Sequence, residues 1–257
     1  MSAVEFALLL VAGICAGLVG SIAGLASLIS YPALLATGVP PLTANMTNTV
    51  AMVFQGVGSV SASRPELRGQ GRRVLRLTVA SALGGAVGAA LLLLTPSSTF
   101  ERIVPVLIAA ASAAILVQRP PREQALEGAR LHPDRAHDDP RWLPLGTFAI
   151  SIYGGYFGAA AGVVMLAMLL VGVGEGLPRS NALRNVTLGL ANGVAAIAFI
   201  ALAPIAWSAA LPLALGLLTG GRLGPWVVRR APQTALRRVI ALAGIGLAIH
   251  LGIQAYG

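Results

Sequence analysis

The residues able to do chemistry in this chain are few, and they stand where apolar side chains would be expected. Asn45, Thr47, Asn48 and Gln55 open one apolar segment, and Asn181, Arg184, Asn185 and Asn192 open another. Amides, a hydroxyl and a guanidinium offer hydrogen bonds and positive charge, and no acid accompanies them, so the set suits binding of something negative. Catalytic patterns are absent. There is no H-E-x-x-H, no G-x-S-G serine motif, no P-loop lysine and no pair of acids within an apolar run. An enzyme is therefore disfavoured, and no catalytic residue, cofactor or metal is expected. His132 and His137, five apart in a charged stretch, read as solvated rather than metal-ligating, and His250 as interfacial or packed.

The elements that must hold these residues are membrane helices. The 257 residues are 56% hydrophobic and only 11% charged, with a mean hydropathy of +0.80, which excludes an ordinary soluble domain. Nothing ionisable lies between Glu5 and Arg64, and those 58 residues exceed the roughly 20 that one helix needs to cross a bilayer. All 18 basic residues are arginine, giving a net charge of +9. They sit in short loops between apolar runs, the pattern of positive-inside topology rather than of nucleic-acid binding. The single Cys15 excludes a disulfide framework and reads as a buried small residue. The N-terminus lacks a basic stretch, so no cleaved signal peptide is expected.

Apolar segments run roughly over 3–37, 42–63, 74–94, 102–118, 143–173, 181–202, 206–228 and 236–255. Between the fourth and fifth, Gln118 to Trp142 holds five arginines, five acids and four prolines, a solvated cytoplasmic linker. It divides the chain into 1–117, 118–142 and 143–257. The flanking parts resemble each other. Gly17, Gly20 and Gly24 recur as Gly155, Gly158 and Gly162 at an offset of 138, and Asn48 meets Asn185 at 137. Gly84 and Gly88 meet Gly220 and Gly224 at 136, an ordered series that points to duplication.

The first segment of each half is too long for one perpendicular helix, and its glycine cluster is the natural break. Gly84, Gly88, Gly220 and Gly224 read instead as packing sites between helices. Arginines at 64–76 and at 229–238 should both be cytoplasmic. Eight simple crossings would put them on opposite sides. If the first segment of each half dips in and returns as a hairpin of half-helices, followed by three full crossings, both clusters face the cytoplasm. The expected fold is thus an all-α, multi-pass protein of the inner (plasma) membrane, built from two inverted repeats, with a site at their interface.

The polar residues would then lie at helix N-termini, where unsatisfied N–H groups favour an anion. Two readings compete for each: Asn45, Asn48, Gln55, Asn185 and Asn192 either line a wet cavity or hydrogen-bond between helices, and Arg184 either meets the anion or snorkels to a headgroup.

The stretch from Gly17 to Pro32 (GLVGSIAGLASLISYP), followed by Gly38-Val-Pro-Pro-Leu-Thr-Ala-Asn-Met-Thr-Asn and repeated more loosely from Gly155 to Asn185, resembles the sulfite exporter TauE/SafE family of membrane permeases. The resemblance covers nearly the whole chain outside the linker. It implies export of a small anion of sulfur metabolism, such as sulfite or sulfoacetate. By position it assigns the broken-helix glycines to Gly20, Gly24, Gly158 and Gly162 and the polar site to Thr47, Asn48, Arg184 and Asn185. Ala26-Ser27 depart from the more usual glycine, and Leu170 stands opposite Pro32. The alternatives are a transporter of a cation or neutral metabolite on the same scaffold, and a non-transporting membrane subunit. The expected partners are the anion and the lipid bilayer, with no nucleic acid. Oligomeric state is not legible.

Overall fold

A computed structural model describes residues 1–131, 139–228 and 233–256. All described secondary structure is α-helical. The first half forms α1 (Ala3–Ala23), α2 (Ser27–Ala36), α3 (Pro41–Ala62), the single turn α4 (Arg64–Leu67), α5 (Gly71–Leu93) and α6 (Ser97–Val117). After α7 (Pro121–Leu131) come α8 (Leu143–Tyr156), α9 (Ala161–Val173), α10 (Leu177–Leu202), α11 (Trp207–Val228) and α12 (Gln233–Tyr256). Helix starts follow local chemistry. Ser2 and Glu5 form a reciprocal capping box on α1, and proline occupies the first turn of α3, α8 and α10, where no helical N–H is needed.

Among the described residues, five stretches are long and apolar enough to cross a membrane: α1, α5, α6, α10 and Arg238–Tyr256 within α12. α3 has 22 residues, the length for a span, but carries Asn45, Thr47, Asn48, Thr49 and Gln55 on buried positions. α2 and α9, of 10 and 13 residues, are too short.

Bare backbone is what lets these helices approach. A Cβ on Gly13 would fall 3.0 Å from Gly216 Cα, and one on Gly17 would fall 2.7 Å from Gly221 N, so α1 and α11 interlock in register and run parallel. Gly84 and Gly88 of α5 press on Ser151, Ile152 and Gly155 of α8, again with both numbers rising together, and Gly85 lies on Ala191 of α10. Gly220 closes on α1, and Gly224 on Ser21 of the same helix, so all four glycines expected to pack helices do so. Each three-helix junction carries a buried hydroxyl knot. Ser21 and Ser59 lie 2.6 Å apart and share Gly221 O, while Ser81 and Ser151 lie 2.8 Å apart with Ser81 donating to Thr187 O. These bonds satisfy polar groups in a region with no water to do so.

Two expectations are corrected here. Cys15 is exposed on the outer face of α1 rather than buried, because the buried stripe of that helix is taken by glycine and alanine packed on α11. The linker is not wholly solvated. α7 lies on α9, with Gly128 against Leu170 and Gly174, burying Pro121 and Gln124. Beyond it Asp139 binds Arg73 at 2.6 Å, and Arg73 also pairs with Glu175 at 2.6 Å, fastening the linker to α5 and to the loop before α10. His132, His137, Arg229 and Arg230 lie outside the described residues; His250 is exposed on α12, beside Gln254.

Candidate functional site

The two helix breaks meet at the centre of the molecule. α1 ends at Gly24, in the left-handed region at φ +75°, and α8 gives way at Gly158, φ +76°. Ala160, at φ 60°, is the one non-glycine with positive φ among the described residues, a strained position of the kind that clusters at functional sites. Tyr153 Oη donates to Ala159 O at 2.7 Å and braces this second break. The breaks touch back to back: a Cβ on Gly24 would lie 2.5 Å from the carbonyl carbon of Gly162. Of the four glycines expected to break the helices, Gly24 and Gly158 do so. Gly20 and Gly162 remain helical, and they serve instead as points of close approach, Gly20 to Gln55 and Gly162 to Gly24.

Beside this contact lies a cavity of about 50 Å³, lined by Ser27, Asn48, Gln55, Arg184, Asn185 and Asn192 together with Gly24, Gly158 and Phe157. One water needs roughly 10–15 Å³ on this measure, so there is room for a few waters or one small oxyanion. Arg184 is the only ionisable side chain in the lining, and it is 1% exposed. Its Nη2 donates to Gly20 O (2.8 Å), Ser21 O (3.0 Å) and Asn185 Oδ1 (2.8 Å), which places the positive charge at the C-terminal end of α1. Its Nη1 is buried without a partner, and so is Asn185 Nδ2. On the opposing helix Asn48 reaches only Ser27 Oγ, at 3.4 Å, and leaves Oδ1 unpartnered. Turning that amide over would present its NH₂ group instead. α2 and α9 both begin at the cavity, where the first-turn N–H groups of Leu28, Ile29, Ala161 and Val163 donate to carbonyls of the preceding turns, Leu25, Ala26, Gly158 and Ala160.

Of the seven polar residues expected at the site, Asn48, Gln55, Arg184, Asn185 and Asn192 line the cavity. Asn45 and Thr47 do not. Asn45 Nδ2 donates to Tyr156 O at 2.8 Å, closing the C-terminal end of α8, and its counterpart Asn181 donates to Ser21 O at 3.0 Å at the end of α1. Thr47 Oγ1 accepts the Ala206 N–H at 3.1 Å and holds the loop between α10 and α11. For these residues the helix-to-helix bond is the role found. Sequence reading missed Ser27, Thr49 and Met52 in the lining. A signal existed: positions 48, 49, 52, 55 and 56 share one helical face, as do 185, 188, 189 and 192. No group of acids, histidines and cysteines able to hold a metal occurs among the described residues.

The family model described as "Sulfite exporter TauE/SafE" matches residues 9–251. Three curated relatives illustrate the likeness. A protein named "Probable membrane transporter protein ORF9" from Sinorhizobium sp is 28% identical, over 95% of this chain and 91% of the relative. A "Probable membrane transporter protein" of Haemophilus influenzae is 26% identical, over 92% and 90%, and the "Probable membrane transporter protein YfcA" of Escherichia coli K12 is 24% identical, over 94% and 87%. No solved structure matches the chain.

Proposed function

The chain belongs to the sulfite exporter TauE/SafE family and is a membrane transporter, and from that premise we propose that it is an inner-membrane permease exporting a small oxyanion of sulfur metabolism, such as sulfite or sulfoacetate, by alternating access. One observation carries the reading. Two residues that line the cavity between the helix breaks carry buried, unpartnered N–H donors, Arg184 Nη1 and Asn185 Nδ2, and no acid is in the lining. An unmet buried donor costs about 1–3 kcal/mol, and an oxyanion would satisfy both at once. A cation would face the guanidinium.

The segments 1–117 and 143–257 are proposed as inverted repeats, joined by the cytoplasmic linker 118–142. Support comes from helix directions. α5 runs parallel to α8, and its contacts with α10, Ser81 with Thr187 and Gly85 with Ala191, also rise together. α10 and α11 are joined by only 203–206 and so run oppositely, while α11 is parallel to α1. α1 and α8, corresponding elements of the two halves, therefore run in opposite senses. α9 joins α10 through 174–176 alone and α10 runs with α8, which makes α8 and α9 a reversing pair, and α1 and α2 are proposed as the corresponding pair. The bodies that rock are two packed groups, α1 with α3 and α11, and α5 with α8 and α10, which exchange members between the halves. Export of an anion draws on the membrane potential, roughly 2.3 kcal/mol per charge per 100 mV, without a coupling ion.

The test is a thermal-shift screen of the purified protein in detergent against sulfite, thiosulfate, sulfoacetate, lactate and divalent metals. Stabilisation by the sulfur oxyanions, lost in an Asn185→Ala variant of normal expression, is expected. Stabilisation by metals or neutral solutes alone would refute the reading.

A further inference from the structure

A second cavity, of about 270 Å³, lies between Tyr31, Pro41, Glu101, Val104, Leu251 and Gln254. Every one of its helical walls is at the end away from the arginine-rich loops. α3 begins at Pro41 and ends beside Arg64, α5 begins beside Arg72 and hands over to α6 at 94–96, just before Glu101, and Leu251 and Gln254 are near the end of α12. With the arginines cytoplasmic, this cavity is on the outer side. Its inner wall is Tyr31, 2% exposed, whose hydroxyl has no partner. The ring of Tyr31 stands edge-on to Phe157 with centroids 5.6 Å apart, and Phe157 in turn meets Phe100 at 6.2 Å. Phe157 is itself part of the lining of the central cavity, at the break between α8 and α9. One aromatic contact therefore links the linings of two voids, and it joins the short helix of one break to the unwound turn of the other.

We infer that the outer cavity is the exit vestibule of the transport path and that the Tyr31–Phe157 contact is its closed gate. Both residues sit on the parts of the fold that the breaks leave free to shift: Tyr31 on a 10-residue helix following Gly24, Phe157 beside Gly158. Edge-on packing is a preferred geometry of aromatic pairs and stabilises them beyond the area they bury, which holds the contact closed. Opening would expose the Tyr31 hydroxyl, the one polar group of the gate, to a passing oxyanion as a hydrogen-bond donor. Glu101 beyond it would repel the anion from lingering or returning.

The inference rests on the permeation reading above, but its test needs no substrate. In a Cys15→Ser background, Ser27→Cys places a thiol in the lining of the central cavity. Its reaction with a membrane-impermeant maleimide added from the outside is measured in right-side-out vesicles. Slow labelling is expected, rising roughly tenfold with Tyr31→Ala, the shift in open population that follows loss of one aromatic contact, and staying slow with Tyr31→Phe, which keeps the ring. Equal labelling in all three, with the proteins of similar thermal stability, would overturn the gate, whatever anion is carried. Should Tyr31→Ala prove unstable, Tyr31→Leu is the second variant, with faster labelling than Tyr31→Phe expected and an equal rate overturning the inference.

Discussion

Arg184 joins a structural role to the binding role proposed for it. Three acceptors on Nη2 hold the end of α1, and Nη1, on a residue that lines the cavity, is buried without a partner. Arg184→Ala should therefore lose both stability and transport, the first by about 3 kcal/mol since hydrogen bonds to a buried charged group contribute about 1.5–3 kcal/mol. Arg184→Lys keeps charge but not the planar fork, and its flux in proteoliposomes should fall further than its detergent melting temperature. A lysine variant with normal flux would remove Arg184 from the anion's path. The asparagines separate in the same way. Asn48→Ala should weaken oxyanion affinity roughly tenfold, the value of one hydrogen bond at about 1.4 kcal/mol, with little loss of stability. Asn45→Ala should cost about 1 kcal/mol of stability, by freeing Tyr156 O, and leave affinity unchanged. Thermal unfolding and a ligand titration on each variant read out the difference. In sequence the two look alike, three residues apart in the same polar run. Which helix face looks at the cavity and which at a neighbouring carbonyl depends on where the breaks fall, and that is a property of the packed molecule.

At the scale of elements, glycine spacing located both interruptions, and of the two glycines named at each one is where the chain turns, Gly24 and Gly158. The cluster Gly17, Gly20, Gly24 offered three positions, and only contact with the other break selects Gly24. Ala160 carried no signal at all, because positive φ at alanine is imposed by its surroundings and not favoured by its chemistry. Nor did α7 stand out, its charged face masking the few positions, such as Gly128, that dock on α9. Gly24 and Gly38 make a matched pair for a test, both with φ near +75° to +79°. Alanine at Gly38 meets nothing within 4 Å, so only the left-handed backbone is penalised, about 1–2 kcal/mol. Alanine at Gly24 adds a clash with the Gly162 backbone, bringing the loss to about 3 kcal/mol or more. Fluorescence-detected size exclusion after a heat step should rank Gly38→Ala well above Gly24→Ala. Equal melting would mean the two breaks do not bear on each other.

For the whole molecule, the decisive feature is that neither half is a packing unit. Helices adjacent in sequence are usually adjacent in space, and from that habit each half would be expected to close on itself. The packing runs across the halves instead: α11 packs on α1 and α3, and α5 on α8 and α10, through glycine-to-backbone contacts with no side chain between them. Such faces satisfy nothing when left against lipid, since their stability comes from close approach of partner backbones and not from apolar side chains. The hydroxyl knots Ser21–Ser59 and Ser81–Ser151 would also lose acceptors supplied by the other half, Gly221 O and Thr187 O. Fragments 1–131 and 139–257 expressed alone should therefore give no monodisperse species in mild detergent, whereas the two co-expressed should copurify through a tag on either and recover the oxyanion-dependent thermal shift. The charged linker supplies the Arg73–Asp139 tie and the α7 contact, which Asp139 and α7 retain in the split pair. A stable fragment 139–257 on its own would show instead that α8 to α12 form a self-sufficient bundle, and the rocking bodies would then have to follow the sequence halves.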